Sequence, residues 1–351
     1  MNVVMPVVDN HVPQSGLGSA SASTASHLLL RDSAIAVWLD WLVTVHRPRR
    51  IAAVQERRIR RARANALISA GHYYSLALRA DGSVACWGWN VNGQAPPAGV
   101  EGDFVAVAAG HSHSLALRAD GSVACWGDNY SGKAPPAGVE GDFVAVDAGH
   151  SHSLAVRADG SVACWGDNYS GQAPPAGVEG DFVAVAAGNG HSLAVRADGS
   201  VACWGDNDSG QAPPAGVEGD FVAVAAGSEH SLALRADGSV ACWGDNTFDQ
   251  APPAGVEGDF VAIAAGRVHS LAVRADRSVA CWGHNHFDQA PPAGVEGDFV
   301  AVAAGYFHSL ALRADGSVAC WGVNEFGEAP TDALRLGELN STRFMTEVRI
   351  L

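Results

Sequence analysis

The sequence predicts an all-β fold, a seven-bladed β-propeller carrying a short helical N-terminal arm, and three observations carry that prediction. The stretch AGHSHSLALRADGSVACWG, Ala109 to Gly127, recurs seven times along 351 residues, with its Trp at 87, 126, 165, 204, 243, 282 and 321 and a constant step of 39 residues. Self-similarity at that period marks a solenoid, a propeller or an array. Each unit is made of short runs such as Phe143-Val-Ala-Val, Ser153-Leu-Ala-Val-Arg and Val162-Ala-Cys-Trp, cut by Ala148-Gly149 and by Ala158-Asp-Gly-Ser161. Runs of that length and composition, punctuated by Gly and Asp-Gly, read as strands joined by hairpins. In Val162-Ala-Cys-Trp both pleat faces are apolar, Val and Cys on one and Ala and Trp on the other. A sheet with two apolar faces needs a neighbour on each side, and a closed ring of blades supplies both.

The arm comes first. Residues 1–32 lack an early basic cluster, which argues against a secretory signal. Ser33 is placed to cap a helix over about 34–46, where Ile35, Trp38, Leu39, Leu42 and Val45 share one stripe. That segment is too short, and too interrupted by Asp40, to span a membrane. It reads as a helix that docks on protein or lies on a membrane surface. The basic segment 47–63 follows, with Arg49, Arg50, Arg57, Arg58, Arg60, Arg61 and Arg63. Nucleic acid, an anionic membrane, a calmodulin-like partner or an acidic protein face are the recipients its charge allows. Residues 1–64 hold nine Arg against Asp9, Asp32, Asp40 and Glu56, a balance of +5, so the remainder carries −20 of the net −15. Any nucleic-acid or membrane contact is therefore expected through the arm, not through the acidic ring.

The ring is expected over 65–351. Ala66-Leu-Ile-Ser stands where later units have Phe-Val-Ala-Val, so the first strand of the first blade is degenerate. After Pro330 the repeat breaks down, yet residues 342–350 alternate like a strand, which is expected to help close the ring beside blade one. An up-and-down strand order puts the Ala-Gly and Trp-Gly loops on one rim and the Asp-Gly hairpins on the other. Arg-Ala-Asp-Gly-Ser and Pro-Pro-Ala-Gly-Val-Glu-Gly-Asp hardly change from unit to unit, so that rim reads as scaffold. One departure is Arg277, where the other units have the turn Gly; a positive φ there would strain blade six by about 1 kcal/mol.

The repeat Gly-x-x-His-Ser-Leu-Ala, then Asp-Gly-x-Val, then Trp-Gly-x-Asn-x-x-Gly-Gln resembles that of the regulator of chromosome condensation family over roughly residues 66 to 338. The resemblance implies a seven-bladed propeller. It also implies three functions, each met by a departure. Exchange activity toward a nuclear GTPase depends, in the family, on a wedge-like insertion between repeats, and these units have none. Ultraviolet-B perception needs clustered tryptophans, and only Trp89 is extra within the ring. The family's ubiquitin ligases attach a catalytic domain for which this chain leaves no room.

Differences between units collect on the variable rim. After Ala-Gly stand Tyr73 and Tyr74, Arg267 and Val268, and Tyr306 and Phe307; after Trp-Gly stand Trp89, Phe248, Phe287 and Phe326. Because blade seven meets blade one, they form one arc over blades five, six, seven and one. Aromatic side chains with an Arg on loops of a rigid scaffold are the material of a protein-binding hot spot. The partner-binding set is thus Tyr73, Tyr74, Trp89, Phe248, Arg267, Phe287, Tyr306, Phe307 and Phe326. Blades two to four present a smaller and more polar set that includes Ser112, Tyr130, Ser151, Tyr169, Asn189 and Asp208.

His113, His152, His191, His230, His269 and His308 hold one position in six blades, and a ring keeps such equivalents apart, so they read as structural hydrogen-bonding residues. The pairs His111-Ser-His113 and His284-Asn-His286 each place two imidazoles on one strand face, without the further ligand a metal site needs. The seven cysteines are symmetry equivalents spread around the ring, too far apart for disulfides, and read as buried thiols in a reducing, intracellular compartment. The Asn of each Trp-Gly-x-Asn reads as a turn residue bonding nearby backbone. No nucleophile, phosphate-loop or metalloprotease motif is present, and Lys133 is the one lysine. The expectation is a non-enzymatic, cofactor-free protein-interaction module that binds its partner through the variable rim, with a guanine-nucleotide exchange factor or regulator of a small GTPase, contacting chromatin or nucleic acid through the basic arm, as the alternative.

Overall fold

The computed structural model describes residues 66–330 and the short strand Leu334–Arg335. The helix expected over 34–46, the basic segment 47–63 and the strand expected over 342–350 lie outside those residues. Every described strand belongs to one of seven antiparallel sheets, each a contiguous stretch of chain. Blade two shows the plan. Its inner strand Phe104–Ala109 pairs with the middle strand His113–Arg118, which pairs in turn with the outer strand Val123–Gly127. A single bridge, Val123 to Val139, stands in the place of a fourth strand. Blade seven alone adds a short fourth strand, Ser317 pairing with Arg335 and Val318 with Leu334.

The alternation of residue size along each strand decides how blades stack. In blade two, Leu115, Leu117, Val123 and Cys125 face blade three, where they meet Phe143, Ala155 and Ala163. Ala116 points the other way, against Leu76, Val84 and Cys86 of blade one. A face of large side chains thus packs on a face of alanines at each junction, and a leucine buried in this way contributes about 2 kcal/mol. The same register closes the ring, with Leu310, Leu312 and Val318 of blade seven on Ala77 and Ala85 of blade one.

The inner strands of blades two to seven each contain a register shift, in blade two between Phe104 and Ala106. The Phe at its start is buried, and in blade two the Arg118 guanidinium lies 5.7 Å from that ring's centre. Blade one has no such Phe, and its inner strand shrinks to Ile68–Ala70, as its degenerate sequence implied.

The glycine that follows each inner strand, at the neck of the ring, is a packing requirement. A Cβ on Gly110 would lie 2.5 Å from the Gly149 carbonyl oxygen, and one on Gly305 would lie 2.6 Å from that of Gly71. Only hydrogen at these positions lets neighbouring inner strands converge on the axis. What remains between them is a cavity of about 270 Å³.

Candidate interaction surface on the variable rim

Six of the seven blade junctions carry the same histidine relay, and the junction of blades one and two carries a tyrosine variant of it. Between blades three and four, Ser192 Oγ donates to the Gln172 carbonyl at 2.9 Å, and Trp204 Nε1 donates to that same carbonyl at 2.9 Å. The hydroxyl proton being spent there, Ser192 Oγ accepts from His152 Nε2, 2.9 Å away. The six histidines so held are fully buried, and their Nδ1 atoms have no hydrogen-bond partner. A second proton on any of them would be a buried cation with nothing to receive it, so burial drives His113, His152, His230, His269 and His308 down to about 3 and His191 to about 4. Their expected structural role is what the geometry shows.

Tyr74, placed on the rim by its sequence position, is a correction. It stands where the other blades have this histidine and is 0% exposed. Its hydroxyl donates to the His113 carbonyl and lies 3.1 Å from Ser114 Oγ, so it serves the junction and presents nothing to a partner.

The rest of the set meets on one rim. Trp89 and Phe326 have ring centres 4.6 Å apart, Tyr73 lies 5.3 Å from Phe326 and 5.7 Å from Trp89, and Tyr306 lies 5.9 Å from Tyr73. Tyr306 touches Phe307 at 4.6 Å, Phe307 touches Phe287 at 5.0 Å, and His284 joins Phe307 to Phe248. Arg267 lays its guanidinium 4.3 Å from the Tyr306 ring centre and 5.3 Å from that of Phe307. Phe248, Phe287 and Phe326 are 46, 42 and 46% exposed. The Asn of each Trp-Gly loop pins this rim from below, Asn246 Oδ1 accepting from Ala251 N at 2.8 Å and Asn285 Oδ1 from Ala290 N at 2.8 Å.

Seven matches to the family model described as "Regulator of chromosome condensation (RCC1) repeat" cover residues 66–94, 104–133, 143–172, 182–211, 221–250, 260–289 and 299–328, more than half of the chain. The chain belongs to the RCC1 repeat family. No curated protein matches the RCC1-repeat chain in sequence. The fold is shared with the CRINKLY WD40 ectodomain of the Arabidopsis thaliana receptor kinase ACR4, at 24% identity and a TM-score of 0.61, over 76% of this chain and 98% of that one. It is shared also with Prp20p of Saccharomyces cerevisiae, a structure described with its binding properties to Gsp1p and histones, at 20% identity and a TM-score of 0.57, over 79% and 87%. A third structure, Kap60 bound to yeast RCC1 (Prp20), matches at 22% identity and a TM-score of 0.54, over 64% and 70%.

Within this RCC1-repeat ring several residues escape a reading by sequence. His72, His111 and His150 follow the neck glycines of blades one to three, with ring centres 4.0 and 4.1 Å apart, and His72 reaches Tyr306 at 3.9 Å. The expected pairing of His111 with His113 does not occur, because His111 lies in the bend at the cavity mouth while His113 points into the junction. His284 and His286 do stay near each other, with ring centres 6.2 Å apart. Glu328 replaces the Gln or Lys of other blades; it is buried, its Oε1 has no partner, and burial raises its carboxyl. Asp147, where blade two has Ala108, lines the cavity and accepts from Ala187 N at 2.7 Å, and its carboxyl is pushed up to about 6 by burial. Tyr130 and Tyr169, at 91 and 95% exposed, are the most exposed rim aromatics, yet they stand alone. Among the described residues no group of three or more His, Cys, Asp or Glu is arranged to hold a metal ion, and no helix is long and apolar enough to cross a membrane.

Proposed function

We propose that this ring is a non-enzymatic protein-interaction module whose partner binds the arc Tyr73, Trp89, Phe248, Arg267, Phe287, Tyr306, Phe307 and Phe326. The observation that carries the reading is continuity. Ring-to-ring contacts run unbroken from Phe248 in blade five to Trp89 in blade one, and Arg267 stacks on them with no carboxylate partner among the described residues. Rigid aromatics lose little entropy on binding, and a stacked, unpaired Arg is a typical anchor. The basic segment with Arg49, Arg50, Arg57, Arg58, Arg60, Arg61 and Arg63 is a second contact in this reading, toward nucleic acid or an anionic membrane. Seven free cysteines support an intracellular setting.

The test is affinity capture with the full chain beside a variant carrying Trp89→Ser, Phe248→Ser, Phe287→Ser and Phe307→Ser, its fold checked by circular dichroism. A partner held by the first and lost by the second supports the reading; the same partners on both would sink it. The second reading, regulation of a small GTPase, is favoured by likeness to a structure described with Gsp1p. It predicts faster nucleotide release from a GTPase in the presence of the purified protein, which the first reading does not.

A further inference from the structure

The side chains that follow the seven neck glycines encircle the upper mouth of the central cavity. Blades one to three give His72, His111 and His150, blades six and seven give Arg267 and Tyr306, and Asn189 and Ser228 complete the circle. None of the seven is acidic, although residues 65–351 carry a net charge of −20. Tyr306 lies between the two basic elements, 3.9 Å from the His72 ring centre and 4.3 Å from the Arg267 guanidinium. Three adjacent imidazoles and one unpaired guanidinium thus converge on a concave opening.

We propose that this mouth receives an acidic side chain, Asp or Glu, presented by the protein that binds the aromatic arc. The proposal rests on the protein-binding reading and gives that partner a chemistry. Arg267 offers a planar fork of donors, and each imidazole, Asn189 and Ser228 offers a further N–H or O–H. The mouth as it stands is short of negative charge. His72 is pushed down to about 3 by burial and by His111, His150 and Arg267, and His111 to about 4 by burial and by His150 and Lys133. The acids that face the cluster sit to the side: Asp128 faces His111 and is already ion-paired to Lys133 at 2.6 Å, and Asp167 faces His150. Asp147 lies on the cavity wall, committed to Ala187 N, and reserves the depth of the cavity against an anion. A carboxylate at the mouth would relieve the repulsion among the basic groups, so its binding and imidazole protonation reinforce each other.

The experiment follows the imidazole resonances of the full-length protein by NMR between pH 3.5 and 7. The probes are a blocked tri-glutamate peptide, its tri-glutamine counterpart and inorganic phosphate. Binding of the glutamate peptide is expected to raise the titration midpoints of His72 and His111, which start near 3 and 4, by about one pH unit each. Arg267→Gln, exposed and outside the core, is expected to weaken it about tenfold. Equal effects from the glutamine peptide, equal effects from phosphate, or midpoints that do not move would each overturn the proposal. Phe248→Ser with Phe287→Ser tests the underlying reading separately. If capture of a partner is unchanged by those substitutions, the arc fails while a positive titration keeps the acid site. If capture is lost and the titration is flat, the acid site alone fails.

Discussion

His308 Nε2 lies 3.0 Å from Ser75 Oγ, across 233 positions of sequence, and this bond joins the last blade to the first. Ser75 Oγ donates to the Glu328 carbonyl at 3.0 Å, and Trp87 Nε1 reaches that carbonyl at 2.9 Å. The seam therefore repeats the relay of the five other histidine junctions, the junction of blades one and two using Tyr74 in place of the imidazole. Ring closure needs no special device, because the last unit finds in the first what each unit finds in the next.

Ser75→Ala should then destabilise the ring by about 1–3 kcal/mol, the cost of leaving a buried imidazole N–H unpaired. Ser192→Ala, at an interior junction, should cost the same within experimental error. Urea unfolding of both variants checks this. A seam variant much milder than the interior one would mean that closure rests on other contacts.

Stability should fall as the solution is acidified from about pH 6.5 toward 3. The six junction histidines have folded values of about 3 to 4, below the ordinary 6.5, so unfolding takes up protons in that window. Their contribution is complete above 6.5 and is lost as pH falls through the folded values. Asp147 and Glu328, raised by burial, act in the opposite sense but are outnumbered. Carboxylates such as Asp81 and Asp120, held low by bonds from Ser83 and Ser122, add their loss only below about pH 4. Each net proton steepens the dependence by about 1.4 kcal/mol per pH unit, so urea midpoints at pH 7, 6 and 5 should drop steeply. A flat profile over that range would refute the role given to the buried rings.

Arg277→Gly should stabilise blade six. Arg277 has a φ of 71°, the left-handed region that its counterparts in other blades occupy as glycine. Relief of that strain is worth about 1 kcal/mol. Its ion pair with Asp298, at 2.6 Å but largely exposed, returns only a few tenths. Differential scanning calorimetry should show a rise in Tm. Asp249 and Asp288, with φ of 62° and 59°, are milder cases, since a short polar side chain tolerates this region better.

The seven thiols should be inert in the native ring. All are free, and burial pushes each up to about 12. A disulfide reagent at pH 8 should titrate almost none of them without denaturant and all seven in guanidinium. Rapid labelling of the native protein would contradict the packing described.

Much of the fold was legible because the period and the alternation of residue size are local properties. The 39-residue step, the Leu and Ala faces and the strained turn at Arg277 can be read from neighbouring letters. The candidate surface was legible only where it rested on loop identity. Tyr74 is adjacent to Tyr73 in sequence, yet one begins the middle strand and turns into the junction while the other stays on the rim. His111 and His113 diverge for the same reason.

The sequence by itself determined seven equivalent sheets, their strand order and the division into a uniform and a variable rim, because these follow from repetition and hydrogen-bonding period. Tertiary structure decided the rest: the relay through His308, Ser75 and Glu328, the meeting of His72 with Tyr306, and the opening that His150 and Arg267 share. Those contacts join residues one or more whole units apart. They exist only once the ring closes and its convergence on the axis brings every neck glycine, and the side chain after it, to a common mouth.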